Sequence, residues 1–381
     1  MAFVVTSDRL RQLAAFRAER GCAISLYLGF SPMTGATIPD AVTKVNSLLD
    51  EAQKSAFATR EGLGHAQKAG LQKDFARIRD FLGNDFNRGG VHGVAVFADH
   101  LDGLWDVVTV HETVPDRVSV GPDLHIAPLV PLLGRGDGVI VALVDRERGV
   151  LLALDGGRLE ELANLTEEQP GRHDQGGWSQ SRYQRHIEEL VSEHLRAVAD
   201  DLDARVRVGE AKHVVVVGPE EARGEFRELL SQETRDALIG ATSGEGHATT
   251  QELLQLAMPF VEQARLAEET ELLERWQEEA GREGRAASGW AETLAAASDG
   301  RVDVLLFQQG TTRPAYQCPS CGRVQLDGGD CPLDGTPLER REDGVDLAVR
   351  QTLVHGGTVR ALARERRELG PVEGIAALLR Y

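Results

Sequence analysis

The chain has 381 residues, 41% of them apolar but only 5% aromatic, which is enough for two or three domains built on aliphatic cores. A formal net charge of −18 excludes a generic nucleic-acid coat, because backbone affinity for nucleic acid rests on lysine and arginine neutralising phosphates; an RNA contact would need a local basic patch. No apolar run approaches the ~20 residues that cross a bilayer, and Met1 to Asp8 lacks the basic-then-apolar order of a secretory signal, so a cytoplasmic protein with no membrane partner is expected.

Residues 1–133 read as an α/β domain. Ser7-Asp8 can cap a helix over Arg9–Arg17. Cys22–Phe30 is rich in strand formers. Helices are expected over Asp40–Gln53 and Ala66–Leu82, the second with Leu71, Phe75, Ile78 and Leu82 at helical spacing. Val91–Phe97 and Leu104–Val110 pair about a turn at His100 to Gly103. Val118–Leu133, broken by prolines, leads out of the domain.

The cluster Gly134-Arg-Gly-Asp-Gly138 marks a boundary, and residues 134–280 form a central domain. Strands Val139–Val144 and Val150–Leu154 flank a charged turn. Residues 165–180 have no apolar period and read as an exposed loop. A long helix follows over 181–202, with Ile187, Leu190, Val191, His194, Leu195 and Val198 on its buried face. The valine run His213–Val217 suits a buried strand, and Glu220–Leu230 a helix. Thr249 and Glu252 make a capping box for a helix over Gln251–Glu279 that Pro259 can kink. Residues 281–381 then carry a helix (Trp290–Ala297), a strand (Val302–Phe307), a cysteine-rich insertion (314–340), a helix (Val345–His355) and two strands (Thr358–Ala361, Ile375–Leu379).

Of four cysteines, Cys22 stands alone in an apolar strand and reads as an inert buried thiol. The others form two tight turns, Cys318-Pro-Ser-Cys321 and Cys331-Pro-Leu-Asp334. A tetrahedral zinc site wants four ligands, two from each of two such turns, and a carboxylate can serve as one. Cys318, Cys321, Cys331 and Asp334 are therefore candidate ligands of a structural zinc; the other reading is a decayed ribbon that keeps its turns and binds no metal.

The loop His173-Asp-Gln-Gly176-Gly177-Trp178-Ser179-Gln180-Ser-Arg182-Tyr-Gln-Arg185-His186 is the most informative stretch. Two adjacent glycines let the main chain approach a partner closely. Arg172, Arg182 and Arg185 make a local basic cluster suited to a phosphate backbone, and Trp178 can stack on a base. The plainer reading is a connector anchored by Trp178. Ser179 lacks the G-x-S-x-G context of a nucleophile elbow.

Gly176-Gly-Trp-Ser179-x-x-Arg182-Tyr183-x-Arg185 resembles the Gly-Gly-Gln-Ser-x-x-Arg-Phe-x-Arg stretch of the eukaryotic and archaeal class 1 peptide chain release factors, relatives of Pelota. Gly300-Arg-Val-Asp-Val-Leu-Leu306 and the final Gly374-Ile-Ala-Ala-Leu-Leu-Arg-Tyr381 resemble two further family motifs, so the likeness covers about residues 134–381. It implies a ribonuclease H-like central domain, a C-terminal α/β/α domain like a ribosomal protein, and an inserted zinc ribbon as in archaeal members. It also implies a tRNA-shaped body delivered to the ribosome with a translational GTPase such as elongation factor Tu. Such a body carries its loop to the peptidyl-tRNA, where water attacks the ester joining nascent chain to tRNA.

Trp178 occupies the family's glutamine position: if the essential group is the main-chain N–H after the two glycines, any residue can supply it, and if a side-chain amide must orient water, Gln180 is the close candidate. The first domain carries neither the Asn-Ile-Lys-Ser nor the Tyr-x-Cys-x-x-x-Phe segment tied to stop-codon reading. The expectation is thus a codon-independent peptidyl-tRNA hydrolase of ribosome rescue. In it Gly176, Gly177 and Gln180 act at the ester, and Arg172, Trp178, Arg182 and Arg185 hold rRNA or the tRNA end. Two alternatives stand beside it: a non-catalytic hibernation factor in an idle A site, and a nuclease acting on the tRNA 3′ end.

Overall fold

The computed structural model describes residues 5–30, 38–59, 63–86, 91–110, 113–133, 138–166, 180–363 and 366–381, with backbone alone at 38–42, 55–59 and 180–188. The chain is a multidomain α/β protein. Its contacts group residues 1–134 with 270–381 in one compact unit and leave 135–269 as a second. The first and last segments read from sequence therefore pack together.

In the N-terminal segment α1 spans Ser7–Ala15. Its cap is Thr6, one residue earlier than expected, whose hydroxyl accepts from the Arg9 N–H at 3.2 Å. Strand β1 (Ala23–Gly29) precedes α2 (Ile38–Thr59) and α3 (His65–Asp80); β2 (Gly93–Asp99), β3 (Leu104–Val110) and β4 (Arg117–Gly121) follow. All pair antiparallel in the order β3-β2-β1-β4. Strand β4 was not expected: Arg-Val-Ser-Val alternates in polarity, but the strand is only five residues long and runs straight into Pro122 and the proline-rich exit. Ile24, Leu26 and Leu28 pack against Val45, Leu49, Phe75 and Ile78 of the helices, and Ala23 and Tyr27 join a core on the opposite face. Burial on both faces explains the near-continuous apolar run of β1.

Asp74 of α3 is 3% exposed and accepts the His100 N–H at 2.8 Å. Burial pushes its carboxyl up to about 6, against the help of that hydrogen bond. Above pH 6 the folded chain therefore holds a carboxylate that it resists ionising. As pH falls through 6 towards the unfolded value near 4, the folded state takes up the proton and gains stability. Asp74→Asn, which keeps an acceptor for His100, is expected to stabilise by about 1–2 kcal/mol at pH 8 and by nothing at pH 3.5, read from urea unfolding at both pH values.

The second unit contains β5 (Val139–Val144), β6 (Gly149–Asp155), β7 (Arg158–Asn164), α4 (Gln180–Arg207), β8 (His213–Val217), α5 (Glu220–Leu229), α6 (Gln232–Asp236), β9 (Leu238–Thr242) and the start of α7 (Thr250–Gly281). The sheet order is β7-β6-β5-β8-β9, with β8 parallel to both neighbours. Val191, Leu195, Val198 and Leu202 of α4 cover one face with Phe226. Leu253 and Ala257 of α7 cover the other. The capping box holds: Thr249 N–H donates to Glu252 Oε2 at 2.8 Å and Glu252 N–H to Thr249 Oγ1 at 3.3 Å. Strand β7 escaped the sequence reading because, as a charged edge strand, it buries only Leu159. At Gly218 an added Cβ would lie 2.0 Å from the Val144 carbonyl oxygen. Because that obstacle is backbone, Gly218→Ala is expected to lose roughly 2–3 kcal/mol, measured as a lowered urea midpoint at unchanged slope.

The C-terminal segment adds β10 (Ala286–Ser288), α8 (Gly289–Ser298), β11 (Val302–Gln308), β12 (Ala315–Gln317), β13 (Val324–Gln325), β14 (Glu339–Arg341), α9 (Gly344–Val354), β15 (Thr358–Leu362) and β16 (Ile375–Leu379). The main sheet runs β10-β16-β11-β15; β13-β12-β14 form a separate small sheet in the cysteine-rich insertion. Trp290, Leu294, Val345 and Val349 of α8 and α9 share the core that holds Leu10 and Tyr27. On the other face Leu273 and Trp276 of α7 pack on Leu306 and Leu378. No helix among the described residues is long and apolar enough to cross a membrane.

Candidate functional site

The two turns of the insertion share one backbone design. Cys318 N–H donates to the Arg323 carbonyl at 2.8 Å and Gly322 N–H to the Cys318 carbonyl at 3.0 Å. Thirteen residues on, Cys331 N–H donates to the Thr336 carbonyl at 2.8 Å and Gly335 N–H to the Cys331 carbonyl at 2.9 Å. Gly322 (φ +79°) and Gly335 (φ +70°) close the turns in the left-handed region that glycine enters without strain.

The turns bring the donor atoms of Cys318, Cys321, Cys331 and Asp334 within 4.8 Å of one another. Cys318 Sγ lies 3.6 Å from Asp334 Oδ2, and Cys321 Sγ 3.6 Å from Cys331 Sγ. Ligands at about 2.3 Å from a tetrahedral metal stand roughly 3.8 Å apart, so the cluster fits a metal ion. Burial opposes ionisation of Cys318, but the N–H groups of Cys321 and Ser320 outweigh it and draw the thiol below its usual range. The Arg323 N–H favours the Cys321 thiolate, yet burial and the sulfurs of Cys318 and Cys331 push that thiol up to about 11. Thr336 hydrogen bonds hold the Asp334 carboxyl well below the usual range. Such opposed neighbouring thiols relax when a cation takes up their charge.

The insertion is tied to the rest of its unit. Arg17 Nη2 donates to the Pro319 carbonyl at 2.7 Å, Gln351 Nε2 to the Gly322 carbonyl at 2.7 Å, and Ser298 and Val324 exchange hydrogen bonds at 2.9 Å.

Beside it lies a charge cluster that the sequence reading did not single out. Asp123, 7% exposed, meets Arg350 Nη1 at 2.8 Å, Arg341 Nη2 at 3.3 Å and Arg17 Nε at 3.9 Å. Arg350 also donates to the carbonyls of Ala14 and Phe16, and burial lowers its guanidinium to about 10, helped by Arg17. Asp346 accepts N–H bonds from Ile126 and Ala127 at 2.7 and 2.8 Å and lies 3.3 Å from His125 Nδ1. Burial works against its ionisation; His125 and those amides win and keep its carboxyl low. Asp343 caps α9 and meets Arg117 at 3.1 Å. The available sequence signal was Asp346 and Arg350, two charges at i and i+4 on the apolar face of α9.

Of the loop residues, Arg172, Gly176, Gly177 and Trp178 lie outside the described residues. Gln180 is the first residue of α4, and Arg182 and Arg185 sit in its first two turns. The loop segment thus joins edge strand β7 to the N-terminal end of a 28-residue helix. A helix N-terminus carries partial positive charge and unpaired N–H groups, which suit an anion.

Residues 125–262 match the model of bacterial archaeo-eukaryotic release factor family 10. The chain is 24% identical to a peptide chain release factor subunit 1 of Thermoplasma acidophilum, over 68% of this chain and 67% of that protein. It is 26% identical to the namesake from Archaeoglobus fulgidus, over 73% and 74%. A solved structure of Archaeoglobus fulgidus Pelota aligns at 20% identity and a TM-score of 0.34, covering 76% of this chain and 79% of that one.

Proposed function

We propose that this chain, a member of the release factor/Pelota superfamily, is a ribosome-associated factor that hydrolyses peptidyl-tRNA without reading a codon, in ribosome rescue. The observation that carries the reading is the family match across 125–262, which spans the Gly176-Gly177 loop and the start of α4. The mixed five-stranded sheet with helices on both faces supports a ribonuclease H-like central domain. The four-stranded sheet between α8 and α9 on one side and the end of α7 on the other supports an α/β/α C-terminal domain.

On this reading Gly176 and Gly177 allow the main chain to approach the acceptor end of the tRNA. Main-chain N–H groups stabilise the oxyanion that develops as water attacks the ester. Gln180 orients that water, Trp178 stacks on a base, and Arg172, Arg182 and Arg185 hold RNA phosphates. A translational GTPase delivers the chain. Cys318, Cys321, Cys331 and Asp334 hold a zinc ion whose role is structural, since all four positions are filled by protein.

A release assay on stalled peptidyl-tRNA complexes tests this. Gly177→Ala with Gln180→Ala is expected to slow release by about 10²–10³-fold; equal rates for the double variant and the parent overturn the hydrolase reading. Trp178 in place of glutamine favours one rival, a factor that occupies an idle A site and does no chemistry. Binding to vacant ribosomes with no release by the parent chain selects that rival.

A further inference from the structure

A cavity of about 360 Å³ in the larger unit has mainly apolar walls, with Pro115, Pro128, Pro131, Phe307 and Val345 among its lining. It lies by the carboxyl end of β11, which runs parallel to β15. Open α/β sheets take up ligands at that end of their strands, and a space of this size with apolar walls and few polar groups suits a small molecule.

The ions at its polar end are engaged with their neighbours. Asp343 Oδ2 meets Arg117 Nη1 at 3.1 Å, and Asp343 Oδ1 accepts from Thr312 Oγ1 at 2.8 Å. An ionic ligand would have to break these contacts, so the cavity favours a neutral one. His125 differs from them. It lines the cavity and is 5% exposed. Its Nδ1 lies 3.3 Å from Asp346 Oδ1, which places the proton of the neutral ring on Nδ1 and leaves Nε2 an acceptor. Asp346 stands outside this cavity's lining and Asp343 belongs to it, so the Nε2 edge is the one turned towards the space. Nε2 stands 3.7 Å from Asp343 Oδ2, too far for a hydrogen bond, and has no hydrogen-bond partner among the described residues. The residue is held in place: its N–H donates to Ser25 Oγ at 2.9 Å and its carbonyl accepts from Tyr27 Oη at 2.5 Å.

We propose that this cavity binds a small neutral molecule built on a flat aromatic ring with one N–H or O–H donor at its edge. The donor meets His125 Nε2, and the ring lies among the prolines and Phe307. A buried acceptor gains most from a ligand that brings the missing donor. Proline and phenylalanine rings offer rigid apolar faces to a flat ligand. A rigid ring also loses less conformational freedom on entry than a flexible chain of the same size.

The probe is indole, titrated into the full chain carrying ¹³C-labelled alanine and valine methyls. Indole is expected to bind saturably and to show nuclear Overhauser contacts to the methyls of Ala127 and Val345, which line the cavity. 1-Methylindole has nearly the same shape without the donor and is expected to bind at least tenfold more weakly. His125→Leu is expected to remove that preference, so that both compounds bind alike. The measurements on the parent chain stand even where His125→Leu does not fold. No saturation at millimolar indole, equal affinity of the parent for both compounds, or contacts to other methyls alone overturns the proposal. Tighter binding of N-acetyltryptophanamide than of indole assigns the cavity to a partner's side chain and also overturns it. None of these outcomes depends on peptidyl-tRNA hydrolysis.

Discussion

Asp123→Ala is expected to destabilise the unit formed by residues 1–134 and 270–381 by about 3–5 kcal/mol, the cost of leaving a buried charge without its partner. The Asp123 side chain is 3% exposed and serves three guanidiniums, of which Arg350 is itself buried in the core. Without the carboxylate, Arg17, Arg341 and Arg350 repel one another and Arg350 keeps only carbonyl acceptors. The effect belongs to the broken pair rather than to the intact one, so replacing both partners by apolar residues should recover part of the loss. Urea unfolding followed by circular dichroism measures this: Asp123→Ala falls furthest, and Asp123→Leu with Arg350→Met lies between it and the parent. A loss below about 1 kcal/mol for Asp123→Ala contradicts a buried role for the cluster.

The second large effect concerns the cysteine turns. The purified chain is expected to hold one zinc per molecule by elemental analysis, and Cys331→Ser to lose it. Losing the ion leaves two closely spaced thiols and a carboxylate without a shared cation. The expected penalty is at least about 3 kcal/mol, roughly 6–12 °C in Tm. Because Gln351, Ser298 and Arg17 anchor the turns independently, unfolding should stay local to 318–336. Hydrogen exchange would show it there first. Equal Tm and no bound metal in parent and variant alike would select the decayed-ribbon reading.

The elements with strong period or composition were legible in the sequence: the valine strand β8, helix α4, the Thr249 capping box, and the paired Cys turns. Those that escaped share a physical cause. Strand β7 buries one side chain, β4 hides beside prolines, and β10 is three residues long. Each depends on neighbours far along the chain, which local pattern does not carry. The same holds for the candidate sites. The candidate metal ligands are adjacent in sequence and could be read by spacing. Asp123, His125, Asp346 and Arg350 meet across more than 200 residues, and nothing in either segment announces the other. The joining of residues 1–134 to 270–381 has the same origin: the apolar faces of α1 and α9 look alike from sequence whether they pack with each other or elsewhere.

On the proposed reading this chain acts on the ribosome as a release-factor-like body with its diglycine loop at the peptidyl-tRNA. Cryo-electron microscopy of stalled ribosomes incubated with the chain measures this most directly. Density is expected in the A site, with residues 173–182 reaching the peptidyl transferase centre. Ribosomes that carry no such density at saturating protein, or that carry it with residues 173–182 turned away from the tRNA acceptor end, would contradict it.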